Sequence, residues 1–112
     1  MTKYMFLYSA PPSKQEWRPS PEEMQETFAH WKAWKDKFKN QVLDLGDGLK
    51  PGGTRLVGDQ RIDGPLPEAK EIVNGYSIVQ AATIDEALQV AKECPIKLMP
   101  GAIIEIRELM GY

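Results

Sequence analysis

Cysteine and histidine are almost missing from this chain: Cys94 and His30 are the only ones among its 112 residues. One cysteine cannot close an intrachain disulfide, and one of each leaves no Cys/His set for a conventional zinc centre. No GxSxG elbow, P-loop or dinucleotide fingerprint occurs, so no metal and no cofactor is expected. Long apolar runs are absent too. None approaches the ~20 residues of a membrane span, and the apolar core of "MTKYMFLYSAPP" is too short for a signal peptide. A cytoplasmic protein without membrane contact is expected. Nor is there an excess of charge. The net charge of -2 argues against a general nucleic-acid binder.

What remains is an ordinary single-domain composition, 42% hydrophobic and 27% charged. "KYMFLYS" (residues 3 to 9) has the length and residue types of a strand. Tyr4, Phe6 and Tyr8 point to one face, Met5 and Leu7 to the other. A strand wet on one side does not carry apolar residues on both.

"SPEEM" opens a helix: Ser20 is the N-cap, Pro21 the first helical residue, and Glu23 completes a capping box. The helix is expected to run to about Gln41. Met24, Phe28, Trp31, Trp34, Phe38 and Val42 recur at helical spacing as its buried stripe. A short strand over residues 42 to 45, a hairpin turning at "GDQ", and a strand through "IVNGYSIVQAAT" follow, the last with a bend or bulge at Asn74-Gly75. "TIDE" (83 to 86) reads as a second capping box. Its helix is expected to bury Ile84, Ala87, Leu88 and Ala91 and to end before Pro95. "AIIEIREL" is the final strand.

The order strand, helix, strands, helix, strand fits an α+β, ferredoxin-like fold built from split βαβ units. Both helices then cover one sheet face. The apolar residues on the other face of the first strand call for a second copy, so a homodimer is expected.

Several pieces together resemble the YCII-related proteins, in the branch named for its DGPF motif. They are "KYMFLYS", "SPEEMQ", "DGLKP", "IDGPLPEAKEIVNGYSIV", "TIDEALQVAKECP" and "IEIRE", spread along nearly the whole chain. The resemblance implies a single domain over residues 1 to 112, a dimeric α+β barrel, and a small bacterial cytoplasmic protein. Most such proteins have no assigned activity. Some look linked to extracytoplasmic-function sigma factors. A few in the wider superfamily look like lyases that remove halide from hydroxylated aromatic compounds. The motif here reads Asp63-Gly64-Pro65-Leu66, with Leu66 where Phe is usual. The superfamily's histidine on the first helix matches His30 only with a one-residue shift. The aspartate expected before a proline at the end of the second helix is Cys94 here, so the His–Asp dyad is incomplete.

The candidate site residues follow. His30 sits at the edge of the first helix's stripe, about 40° from Trp34, and histidine suits acid/base work near neutrality. Asp63 is the second catalytic candidate. Glu68, Lys70 and Glu71 lie in "RIDGPLPEAKE", which Pro65 and Pro67 stiffen, and Tyr76 follows on the next strand. These four are the binding candidates. The segment reads either as a pocket rim or as a structured turn with solvated charges. Lys35 falls within the stripe, snorkelling past its aromatics or facing a pocket. The lysines at 32, 37 and 39 read as a solvated face, and Cys94 as a small buried residue rather than a nucleophile. Three functions stay open: a pocket protein for a small organic molecule with acid/base lyase or isomerase chemistry, a non-catalytic ligand-sensing or regulatory module, and a scaffold dimer.

Overall fold

The computed structural model describes residues 1–11, 20–50, 52–64 and 72–111. The elements are β1 (Thr2–Ala10), α1 (Pro21–Lys37), β2 (Val42–Gly48), β3 (Thr54–Val57), β4 (Gln60–Asp63), β5 (Ile72–Ala81), α2 (Ile84–Lys92), a 3-10 turn (Pro95–Leu98) and β6 (Ile103–Glu108). Four strands form one sheet in the order β2-β5-β1-β6. Each neighbouring pair is antiparallel. β1 and β2 therefore run parallel with β5 between them, as do β5 and β6 with β1 between them. These are two interlocked split βαβ units, the ferredoxin-like arrangement that the element order predicts.

The alternation in β1 sets the core. Tyr4, Phe6 and Tyr8 are buried, while Met5 and Leu7 are half-buried on the opposite face. The register puts Tyr4 opposite Val79 and Phe6 opposite Ser77. Both helices lie over this face, and Val42, Ala87, Val90 and Ala91 close the core. Trp34 ties the layers together. Its ring meets Phe6 at 6.5 Å between centroids, and its indole Nε1 donates to the Val90 carbonyl of α2 at 3.0 Å. Burying side chains of this size contributes roughly 2–3 kcal/mol each from apolar area.

The first cap forms as expected. Ser20 Oγ accepts from the Glu23 amide, and Glu23 Oε1 accepts from the Ser20 amide, each at 3.2 Å. α1 stops at Lys37, not Gln41, because the chain turns at Phe38: the amides of Gln41 and Val42 both donate to the Phe38 carbonyl. Its predicted stripe is covered only toward the C-terminus. Trp34 is buried and Trp31 and Phe38 pack against the core, but Phe28 is 70% exposed.

The buried face of α2 is rotated by about 60° from the predicted one. Ala87, Val90, Ala91 and Cys94 are buried, at i, i+3, i+4 and i+7, whereas Ile84 and Leu88 are exposed. Both choices fit helical spacing; only contact with the sheet distinguishes them. Thr83 caps α2 by accepting from the Glu86 amide. Glu86 Oε2 reaches one residue further back than a capping box requires, to the Ala82 amide at 3.0 Å.

Two irregularities shape the sheet. The β1–β5 register slips between Tyr8 and Ser9, leaving Asn74 as the extra residue; of the bend or bulge expected at Asn74-Gly75, it is a bulge. β2 is longer than expected and slips twice against β5. At Gly46, φ is 73°, and an added Cβ would stand 1.8 Å from the Tyr76 carbonyl oxygen, so only glycine fits. β3 and β4 make a separate ribbon with a two-residue loop at Gly58-Asp59, as the hairpin signal predicts. Apart from Ile62, every residue of the ribbon's strands is exposed.

Candidate functional site

Pro95 creates the candidate site. It holds Cys94 extended, at φ -67° and ψ 131°, so the chain leaves α2 and enters the 3-10 turn. A cleft of about 440 Å³ opens between that bend and α1. One wall is a single face of α1, His30, Ala33, Trp34 and Lys37, again at i, i+3, i+4 and i+7. The other wall is Lys92, Glu93, Cys94, Pro95, Lys97 and Leu98. The sole histidine and the sole cysteine thus line one cleft, from residues 64 positions apart in sequence.

Lys37 Nζ pairs with Glu93 Oε1 across the cleft. Both side chains are largely solvated, so the pair contributes under about 1 kcal/mol. Lys97 Nζ donates to the Lys92 carbonyl at 3.1 Å, satisfying one of the acceptors left over at the end of α2. His30 is exposed at the mouth, within reach of both water and a bound molecule.

Cys94 forms the floor, 2% exposed. Its Sγ donates to the Tyr8 hydroxyl at 3.5 Å. Tyr8 donates to Ser77 Oγ at 2.7 Å, and Ser77 donates to the Leu45 carbonyl at 2.6 Å. The chain crosses three strands and ends on a carbonyl, so each hydroxyl both gives and receives. Burial pushes the Cys94 thiol up from its ordinary range, against the smaller opposing effect of the bonds it makes with Tyr8 and Ile96. Burial raises Tyr8 as well, and neighbouring Cys94 adds to it. The thiol is therefore held neutral, and it does not supply a negative charge to an imidazole as a carboxylate would. This agrees with its reading as a small buried residue.

Among the described residues, the other sequence candidates lie elsewhere. Asp63 ends β4, where its Oδ1 accepts from Thr54 Oγ1 and from Arg61 Nε, both at 3.0 Å. It is not among the residues lining the cleft. Tyr76 pairs with Leu7 and so faces away from the helices, on the opposite side of the sheet from His30. Glu68, Lys70 and Glu71, with Pro65, Leu66 and Pro67, lie outside the described residues. Lys35 is exposed and does not line the cleft. Glu105 and Arg107 approach to 3.8 Å on the outer edge strand, both well solvated. Lys92, Glu93 and Lys97 are additions, and Lys37, read from the sequence as part of a solvated face, lines the cleft. Lys37 was legible as the i+7 neighbour of His30, but the second wall has no local signal.

Among the described residues, no group of three or more His, Cys, Asp or Glu side chains is placed to hold a metal ion, and no helix is long and apolar enough to cross a membrane.

Fold and cleft together define an α+β domain of ferredoxin-like topology with a small-molecule-sized recess beside its first helix. The chain belongs to the YCII-related domain family, whose model matches residues 2–110. No curated protein matches it. Among solved structures it is similar to the 5-chloro-2-hydroxyhydroquinone dehydrochlorinase TftG from Burkholderia phenoliruptrix in complex with 2,5-dihydroxybenzoquinone. The two share 16% sequence identity over 92% of this chain and 90% of that one, with a TM-score of 0.44.

Proposed function

We propose that the protein binds a small organic molecule in the cleft beside His30 and uses His30 as an acid/base group in lyase or isomerase chemistry. One observation carries this reading: the only histidine of the chain stands at the mouth of a cleft with an apolar floor. An imidazole there can exchange protons with water and with a bound molecule in turn. The Asp63-Gly64 pair at the start of the former "IDGPLP" segment favours the DGPF branch of the family, and the cytoplasm is the proposed location. The working unit is a homodimer. Met5, Leu7, Tyr76 and Ile78 share the sheet face that the helices leave open, and a second sheet packed there removes this apolar surface from water. Asp63, Glu68, Lys70, Glu71 and Tyr76 remain candidate site residues of the assembled form.

The neutral Cys94 favours a second reading, a non-catalytic ligand-sensing or regulatory module tied to extracytoplasmic-function sigma factor transcription. No carboxylate orients the imidazole from that position.

The test is proton exchange. A panel of hydroxylated aromatic and α-carbonyl compounds is incubated in heavy water with the wild-type protein and with His30→Ala. Deuterium incorporation or elimination by the wild type alone supports catalysis. Equal turnover by His30→Ala removes His30 from the chemistry, and binding without turnover by either form favours the sensing module.

A further inference from the structure

We propose that the cleft between α1 and the end of α2 selects a small monoanionic organic acid, with its acid group beside Lys92 and Lys97 and its apolar body against Pro95 and Leu98. This rests on the reading of that cleft as the binding site and adds the class of molecule it takes.

The charge of the lining carries the argument. Among the described residues, three lysines, Lys37, Lys92 and Lys97, line the cleft together with one acidic residue, Glu93. Two helix C-termini also point here, since α1 ends at Lys37 and α2 at Lys92. Each brings about half a negative charge. One positive charge's worth of attraction therefore survives after the dipoles are offset, within a protein whose net charge is -2. Lys37 is engaged by Glu93. Lys97 uses one of its three donors on the Lys92 carbonyl and keeps two. Among the described residues, Lys92 and Lys97 are thus the ammonium groups of the lining left for a ligand.

The apolar side of the cleft explains why the ligand is more than a bare inorganic anion. Leu98 is 64% exposed, next to Pro95 and across from Ala33. A hydrocarbon or aromatic body laid there covers surface that water otherwise wets. The cleft falls within the range of small-ligand sites, roughly 300–1,000 Å³.

Benzoate and its neutral isostere benzamide separate charge from shape. Both are titrated into the isotopically labelled protein, with the backbone amide shifts of His30, Lys97 and Leu98 as the readout. Benzoate is expected to move these signals with an affinity about three- to tenfold above that of benzamide, the scale of one partly solvated charge pair. Lys97→Gln is expected to lower benzoate affinity by a similar factor, leaving benzamide unchanged, and Lys3→Gln, on β1, to change neither. Equal affinity for benzoate and benzamide, or no effect of Lys97→Gln, overturns the anion assignment while the cleft remains a binding site. If neither compound moves the signals beside His30, the cleft reading falls with it.

Discussion

Tyr8 and Ser77 face each other in the buried layer of the sheet, hydroxyl to hydroxyl at 2.7 Å, although 69 residues separate them. A phenol and a serine in an apolar core stabilise it only if every donor and acceptor is matched. Here Cys94 supplies the donor that Tyr8 accepts, and Leu45 supplies the acceptor at the far end.

Removing both hydroxyls is expected to cost less than the sum of removing each alone. Ser77→Ala strands the Tyr8 hydroxyl and the Leu45 carbonyl, a loss of about 1–3 kcal/mol in urea unfolding. Tyr8→Phe is expected to cost about 1–2 kcal/mol. The double variant should fall short of the sum by roughly 0.5 kcal/mol or more; strict additivity would show that the two hydroxyls do not act as a unit.

The raised thiol and phenol make stability pH-dependent at the alkaline end. Both groups stay protonated in the folded chain and ionise in the unfolded one, near the ordinary values of 9.0 for Cys94 and 10.0 for Tyr8. The unfolded state therefore binds fewer protons as pH rises, and unfolding becomes easier. Stability is expected to be flat from pH 7 to 8.5 for these groups and to fall above pH 9. Cys94→Ala should flatten the first part of that fall. Ellman's reagent should label the native protein far more slowly than the urea-unfolded chain.

Two glycines with similar positive φ, 73° at Gly46 and 81° at Gly64, should respond differently to alanine. Gly46→Ala drives a methyl against the Tyr76 carbonyl oxygen, and it is expected to cost more than about 2 kcal/mol. Gly64, at φ 81°, has nothing among the described residues within 4 Å of an added Cβ, so Gly64→Ala should cost only the backbone strain, about 1–2 kcal/mol. Melting temperatures in parallel check the ranking.

Placing a charge on the open sheet face should separate the proposed dimer. Ile78→Lys is expected to halve the mass measured by sedimentation while leaving the monomer folded, because Ile78 points away from the core. Phe28→Ser, on the exposed part of α1, should leave the mass unchanged. A wild-type protein that sediments as a folded monomer would remove the dimer from the account.

Local chemistry made much of the architecture readable. Ser20, Pro21 and Glu23 sit within four positions, and their cap depends on little else, so the start of α1 stands where the sequence puts it. Strand alternation in β1 and the turn signal at Gly58-Asp59 are equally short-range. The buried face of α2 was less readable. Ile84 and Leu88 compete with Val90 and Cys94 for the same sheet, and helical spacing admits either set. The end of α1 depends on Phe38 turning back toward the core, which no neighbouring residue announces.

The sequence by itself determined the order and type of the elements, and it marked His30 as the one imidazole available for chemistry. Periodicity and capping act over a few residues, and that information is written next to itself. Only the tertiary structure decided what stands near His30. Crossing connections carry α2 and its proline bend back over β1, bringing Cys94, Glu93 and Lys97 to one wall and leaving Asp63 on the ribbon and Tyr76 behind the sheet. Proximity across 60 residues is a property of packing, and no spacing rule along the chain encodes it.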